Sequence, residues 1–281
     1  MKRFSFAVII TALVSVNMLF AANPESDFNY KLSNDAESII ITGFKNNRKA
    51  YDIPNIIEDI PVKEVQAEFL GFAGVSEIAI KVPEGITQFA LTQIYSRGTP
   101  QSHITIMALP SSLENCRIFA QKNRKQPSNP YVTLKGSLKS LSKLTGFKTE
   151  YVDFEEKFVT VKKEWNEYSF QNSTVKEVIF EEGVKNIDGF GWCTNLTKVT
   201  LPSTAQKISD DAFSFCSSLA EIVIPDSLTR LDYGYNSQNF DGTQIPLKTQ
   251  VRLKKLGYNG SFGQGKRIIV VGEHKAGIFR F

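Results

Sequence analysis

Apolar residues recur along this chain at one set of spacings, and the clearest run covers residues 175–231. Val175, Val178 and Phe180 open one copy, Leu196, Val199 and Leu201 the next, and Leu219, Ile222 and Ile224 a third, each at offsets 0, +3 and +5. A second apolar pair follows at +9 and +12: Val184 and Ile187, Ala205 and Ile208, Leu228 and Leu231. Phe190 and Phe213 stand six residues before the second and third triplets, with Cys193 and Cys216 three residues further on. Successive copies start 21 and 23 residues apart. Self-similarity at that period predicts stacked coils, each too small to bury its apolar side alone. The step of two from +3 to +5 is that of a strand, so these side chains point inward while +2 and +4 point outward.

Upstream the pattern weakens. Val75, Ile78 and Ile80 restore the triplet, and Pro83, Ile86 and Phe89 follow after a two-residue insertion. Three further coils keep only the +3/+5 pair and a later apolar pair: Ile104 and Ile106 with Leu113 and Cys116, Val132 and Leu134 with Leu138 and Leu141, Val152 and Phe154 with Phe158 and Val161. Their leading positions, Gln101, Asn129 and Thr149, are polar. Before them Ile53-Pro54 opens a degenerate coil, with Val62 and Val65 as its later pair and Phe69 in the place of Phe190 and Phe213.

The ends break the repeat. Ser38–Thr42, between Asn34-Asp35 and Gly43, reads as a strand of a cap that covers the first coil's apolar end. Leu247–Leu256 reads as a short amphipathic helix opened by Pro246 and stopped by Gly257. Ile268–Val271 and Ile278–Phe281 read as a hairpin that helps to close the last coil. Lys2-Arg3, the apolar run Phe4–Phe20 and the small pair Ala21-Ala22 have the form of a secretory signal peptide. The expected organisation is therefore a signal peptide at 1–22, an N-terminal β cap at 23–52, a solenoid at 53–236, and a C-terminal cap at 237–281 with its helix at 247–256 and hairpin at 268–281.

The stretch Val199–Leu231 resembles the BspA-like leucine-rich repeats of bacterial surface proteins, of spirochaetal type. Pro202, Pro225, Ala212-Phe213, Cys216 and Leu219 fall on that motif. The resemblance implies a leucine-rich repeat solenoid, mainly β, with one short strand per coil and an irregular convex side. It also implies an exported binding protein: a surface adhesin or protein–protein interaction scaffold, with a periplasmic or envelope scaffold that has no host ligand as the alternative.

Composition adds little against this. Removal of Lys2 and Arg3 leaves 31 basic and 29 acidic residues, too balanced for a nucleic-acid partner. After the signal segment no stretch is long and apolar enough to span a bilayer. Three cysteines do not make a disulfide framework. Cys193 and Cys216 would stack in one interior column about 5 Å apart, as buried free thiols or as a bridge.

The candidate site follows from the alternation. The +2 column, Glu77, His103, Tyr131, Tyr151, Glu177, Lys198 and Glu221, would line the concave sheet face with neighbours about 4.8 Å apart. Such a face suits a protein or glycan macromolecule, a host matrix or cell-surface component, better than a small molecule. Tyr131 and Tyr151 would be its aromatic anchors, since rings give large contact area at low entropic cost. The +4 column carries Ala79, Thr105, Thr133, Asp153, Ile179, Thr200 and Val223. Arg117, Lys122, Arg124 and Lys125 read as an exposed basic loop.

No pattern points to catalysis, a cofactor or a metal. The two histidines, His103 and His274, lack ligand spacing. Cys116 reads as inward and His103 as outward, which keeps a Cys-His nucleophile apart. Gly260–Arg267 approaches a phosphate-binding loop, but has Arg267 where the metal-holding hydroxyl belongs and a strand where a helix is needed. Ser140-Leu-Ser-Lys143 matches a four-residue hydrolase motif without its companions.

Overall fold

A computed structural model describes residues 23–69, 75–93, 102–120, 132–232 and 239–263. The expected signal peptide, the C-terminal hairpin, Tyr131 and the basic residues at 122–125 lie outside these. The chain winds through about seven turns of a mainly β solenoid and ends on a single helix, Leu247–Lys255, among the described residues.

Each coil contributes two strands, so the solenoid has two sheeted sides where one was expected. In the N-terminal half one side is an eight-stranded sheet. Its path runs Phe28–Leu32, Ile39–Phe44, Ile60–Phe69, Gln88–Gln93, Asn115–Ala120, Gly146–Glu150 and Glu167–Gln171, with Ile56–Ile57 hooked onto Ile60–Phe69. The other side is a five-stranded sheet of Ala50–Asp52, Glu77–Lys81, His103–Ile106, Val132–Leu134 and Val152–Phe154. In the C-terminal half the corresponding sheets have four strands, Phe158–Val161, Glu177–Phe180, Lys198–Thr200 and Glu221–Ile222, and three, Asn186–Ile187, Lys207–Ile208 and Arg230–Leu231. Pairings between successive coils are parallel, while Phe28–Leu32 meets Ile39–Phe44, and Ile56–Ile57 meets Ile60–Phe69, antiparallel.

The apolar spacing explains both strands. Ile78, Ile104, Val132 and Val152 pair in one register row, and Ile80, Ile106, Leu134 and Phe154 in another, all buried. On the second side Phe89, Leu91 and Gln93 alternate inward, as do Cys116, Ile118 and Ala120. The strand there is longer than the apolar pair that marks it, because alternation carries on through weakly apolar and polar residues. One apolar core runs from Phe28 to Tyr258. Removing such area from water at roughly 25 cal/mol per Å² is what drives the coils to stack.

Register also corrects two assignments. Ala67, Leu91, Ile118, Thr149 and Phe170 share a row, so Phe69, two residues beyond Ala67, pairs with Gln93 and does not stand in for Phe190. Phe170 is the true predecessor of Phe190: their rings stack at 5.0 Å and 8°, and Phe170 N–H donates to Gly189 O at 2.6 Å. Phe158 and Val161, read as the later apolar pair of their coil, lie in the four-stranded sheet beside Glu177–Phe180. The segment 152–161 thus belongs to the five-stranded sheet at its start and the four-stranded sheet at its end. Thr174 ties this seam, donating to Asp153 Oδ1 at 2.5 Å and accepting from Phe154 N–H at 3.0 Å and Lys157 Nζ at 2.8 Å.

Side chains close both ends of the solenoid, by satisfying backbone groups at the C-terminal end and by packing around a buried carboxylate at the other. Asn239, buried, accepts from Phe213 N–H at 3.0 Å and donates to Ser209 O at 2.6 Å, which supplies the partners a further coil would have given. Tyr258 O–H accepts from Phe240 N–H and donates to Asp241. At the other end Phe28, Phe44 and Tyr51 pack edge-on or tilted over the first coil. Asp27 is fully buried beneath them, bonded to Asn23, Asn46 and Arg48.

Candidate functional site

Alternation in the four-stranded sheet turns Val178 and Phe180 into the core and leaves Glu177 and Ile179 exposed. Cross-strand register then builds an outer row Phe158, Glu177, Lys198 and Glu221, and beside it Thr160, Ile179 and Thr200. Lys198 Nζ lies 3.7 Å from Glu221 Oε2, both side chains well exposed, a surface pair that contributes about 0–1 kcal/mol. Val223 extends the second row beyond the last strand and is 80% exposed; Ile179 is 37% exposed. These are uncommon positions for bare branched aliphatics, since the same rows elsewhere carry threonine.

At its C-terminal edge this face runs into a groove of about 580 Å³ between the last coil and the helix. Val223 and Pro225 form one wall, Val251 and Thr249 the other, and Lys248 and Lys255 sit at the rim. The helix is held there by Thr249, whose hydroxyl donates to Ile222 O at 3.1 Å, and by Arg252, whose guanidinium reaches Leu228 O at 3.4 Å. Leu253, buried, is the helix's core contact. Lining cations, Lys248, Arg252 and Lys255, outnumber the one carboxylate, Asp226, so the groove favours a negatively charged visitor with an apolar side chain.

The seven residues expected in one column fall into separate groups. Glu177, Lys198 and Glu221 are contiguous. Glu77 and His103 are neighbours on the five-stranded sheet, where His103 is half-buried and its Nε2 lies 2.9 Å from Thr133 Oγ1. Tyr131 is outside the described residues. Tyr151 lies on neither face. It sits between the strands Gly146–Glu150 and Val152–Phe154 at a coil corner, with φ 56°.

That corner repeats. Tyr151, Asn172, Trp192, Phe215 and Gly242 occupy it in successive coils, with φ of 56°, 54°, 63°, 58° and 74°. Tyr151 N–H donates to Gln171 O, Asn172 N–H to Gly191 O and Trp192 N–H to Ser214 O, one bond per coil. The left-handed conformation suits Gly and Asn, and costs other residues roughly 1–2 kcal/mol each. Trp192 and Phe215 nonetheless stand there, 49% and 36% exposed, with rings stacked 3.9 Å apart at 21°. This pair was not expected from the repeat; Asn172 and Gly242, at equivalent distances after Phe170 and Phe240, were the available signal.

Behind the corner, Cys193 and Cys216 are free and buried. Cys193 Sγ donates to Phe170 O at 3.0 Å and Cys216 Sγ to Phe190 O at 3.1 Å, so each thiol ties its coil to the one before. Burial pushes the Cys193 thiol up to about 11, and those of Cys116 and Cys216 well above the usual range, the reverse of what a nucleophile needs. Among the described residues no group of three His, Cys, Asp or Glu could hold a metal ion. Ser140 donates its hydroxyl to Ser137 O in a short 3-10 turn. Arg117, assigned to a basic loop, lies in the strand Asn115–Ala120 and is paired with Glu167 at 3.1 Å. Lys148 pairs with the same carboxylate.

Short parallel strands, one per side per coil, stacked on a continuous apolar interior with repeat-spaced inward residues define a leucine-rich repeat protein. Residues 147–243 match the BspA type leucine rich repeat region in six copies, and the chain carries a repeat region of that family. No curated protein matches the chain. Among solved structures it is similar to a leucine rich repeat protein of T. pallidum, at 20% identity over 86% of this chain and 99% of that one, TM-score 0.45. It is also similar to a leucine rich cell surface protein of Faecalibacterium prausnitzii A2-165, at 18% identity over 80% of this chain and 54% of that one, TM-score 0.37. A leucine-rich repeat protein of Eubacterium ventriosum gives 14%, 79%, 94% and 0.26. Among the described residues no helix is long and apolar enough to cross a membrane.

Proposed function

We propose that this protein is an exported interaction scaffold that holds a protein partner on the outer face of its four-stranded sheet, with the groove beside the helix as the anchor. The observation that carries the reading is the row Ile179, Thr200 and Val223, exposed aliphatics on either side of a threonine, which runs on into the 580 Å³ groove. An extended segment laid along the sheet would place an apolar side chain against Val223 and Val251, and a carboxylate between Lys248, Arg252 and Lys255. Glu177, Lys198 and Glu221 then set register and specificity, while the buried aliphatic contact supplies affinity. Export rests on the form of residues 1–22, and a partner in the host matrix or on another cell fits a surface-displayed repeat protein. No chemical step belongs to this reading.

The test has two arms. Protease treatment of intact cells degrades the protein if it is displayed outside; full protection places it in the envelope interior as a structural scaffold. Binding to a panel of immobilised extracellular-matrix proteins is then compared for wild type, I179K and V223K. Both side chains are exposed, so stability should move by no more than about 0.5 kcal/mol. Binding is expected to weaken at least about tenfold, a loss of roughly 1.4 kcal/mol. Unchanged binding by both variants would remove this face from the mechanism.

A further inference from the structure

Apart from the sheet face and independent of it, the coil corner carries a second surface. Trp192 and Phe215 stand at adjacent left-handed positions, where Asn172 and Gly242 serve the same turn in the flanking coils. The same turn is made without an aromatic ring at Asn172 and Gly242. The corner is already set by Trp192 N–H to Ser214 O at 2.6 Å and Phe190 N–H to Ala212 O at 3.0 Å, and the interior behind it is filled by fully buried Phe190 and Phe213. An unfavourable backbone conformation retained under two exposed aromatic side chains points to use of those side chains. What they offer is a two-ring platform whose inner faces cover each other and whose outer faces and edges carry the exposure.

The fringe narrows the ligand. Each ring is followed two residues on by a hydroxyl, Thr194 and Ser217, both exposed and both held by N–H bonds of 2.9 Å to the carbonyls of Trp192 and Phe215 themselves. Asn195, exposed, and Asn172 add amides. Outer ring faces bordered by neutral donors and acceptors, with the exposed Asp211 carboxylate beside Ser214 as a further acceptor, match a pyranose ring: its axial C–H bonds present an apolar, slightly positive face to the negative ring face, and its equatorial hydroxyls reach sideways.

We propose that the Trp192–Phe215 platform binds a pyranose unit of a neutral glycan. The test is calorimetric titration of the whole protein with neutral hexasaccharides of glucose, xylose and N-acetylglucosamine. At least one should bind saturably. W192G is the informative variant, because glycine accepts this backbone: it should abolish binding while the melting temperature holds or rises. F215A should weaken binding at least fivefold. If no hexasaccharide binds, or W192G binds like wild type, the proposal fails. It fails equally if W192G converts a dimer to a monomer in sedimentation, since the platform would then be a contact between two copies of this chain.

Discussion

The two halves of the solenoid solve the same stacking problem differently. In the N-terminal half the second strand of each coil is long, Ile60–Phe69, Gln88–Gln93 and Asn115–Ala120, and coils are joined by continuous backbone ladders of up to six paired residues. In the C-terminal half that strand shrinks to two residues per coil. There the lost ladder is replaced by a corner: a column of rings in which Phe170, Phe190 and Phe213 stack and Phe240 lies tilted on the last, a left-handed turn, and a thiol bonded to the preceding coil's carbonyl. Where backbone pairing carries the stack, side-chain identity is free to drift. Where side chains carry it, the sequence must repeat, and this is why the family match covers 147–243 and the upstream coils look degenerate.

This contrast can be broken at its strongest point by F213A. The ring is fully buried between Phe190 and Phe240, so its loss should cost about 3–5 kcal/mol, measured by chemical denaturation. Part of that cost should appear as opening of the corners at Trp192 and Phe215, whereas L91A should leave its neighbouring strands paired. If F213A cost no more than a surface change, the aromatic column would not be what joins the C-terminal coils.

Asn239 is the next largest test. N239A orphans the buried N–H of Phe213 and the carbonyl of Ser209, and should destabilise the C-terminal end by about 2–4 kcal/mol. Protection of the Gln88–Gln93 amides should survive.

The N-terminal end should respond to acid. Burial alone would raise the Asp27 carboxyl, but hydrogen bonds from Asn46, Asn23 and Arg48 together hold it below the usual carboxylate range. Its contribution is therefore present above the unfolded carboxylate pKa and is lost as pH falls through the lower folded value. Hydrogen exchange in Phe28–Leu32 and Ile39–Phe44 should accelerate below the ordinary carboxylate range, and D27N should remove that pH dependence. Asp27 lies far from the C-terminal corners, so those should not share the transition.

Much of the fold was legible because inward residues obey a short local rule. Val178, Val199 and Ile222 sit in one parallel sheet with their side chains buried, and even the polar-led coils keep Ile104, Val132 and Val152 in one row. The second strand was not, since its apolar pair marks only part of its length and strand pairing across a coil is non-local. Nor was the seam at 152–161, where one chain segment serves two sheets; it displaced Phe158 from its expected side and put Phe158, instead of Tyr151, beside Glu177. Tyr151 was misplaced for the same reason: offset counting cannot tell the last residue of a corner from the first of a strand.

The central claim is that ordered corners take over, in the C-terminal coils, from the long second-side ladder of the N-terminal half. Amide hydrogen exchange of the intact protein, read at Phe190, Trp192 and Phe213, tests it directly. These amides donate to Ala212 O, Ser214 O and the side chain of Asn239, so they should exchange as slowly as the core strand amides of Gln88–Gln93. Exchange at rates typical of an open loop would contradict the account.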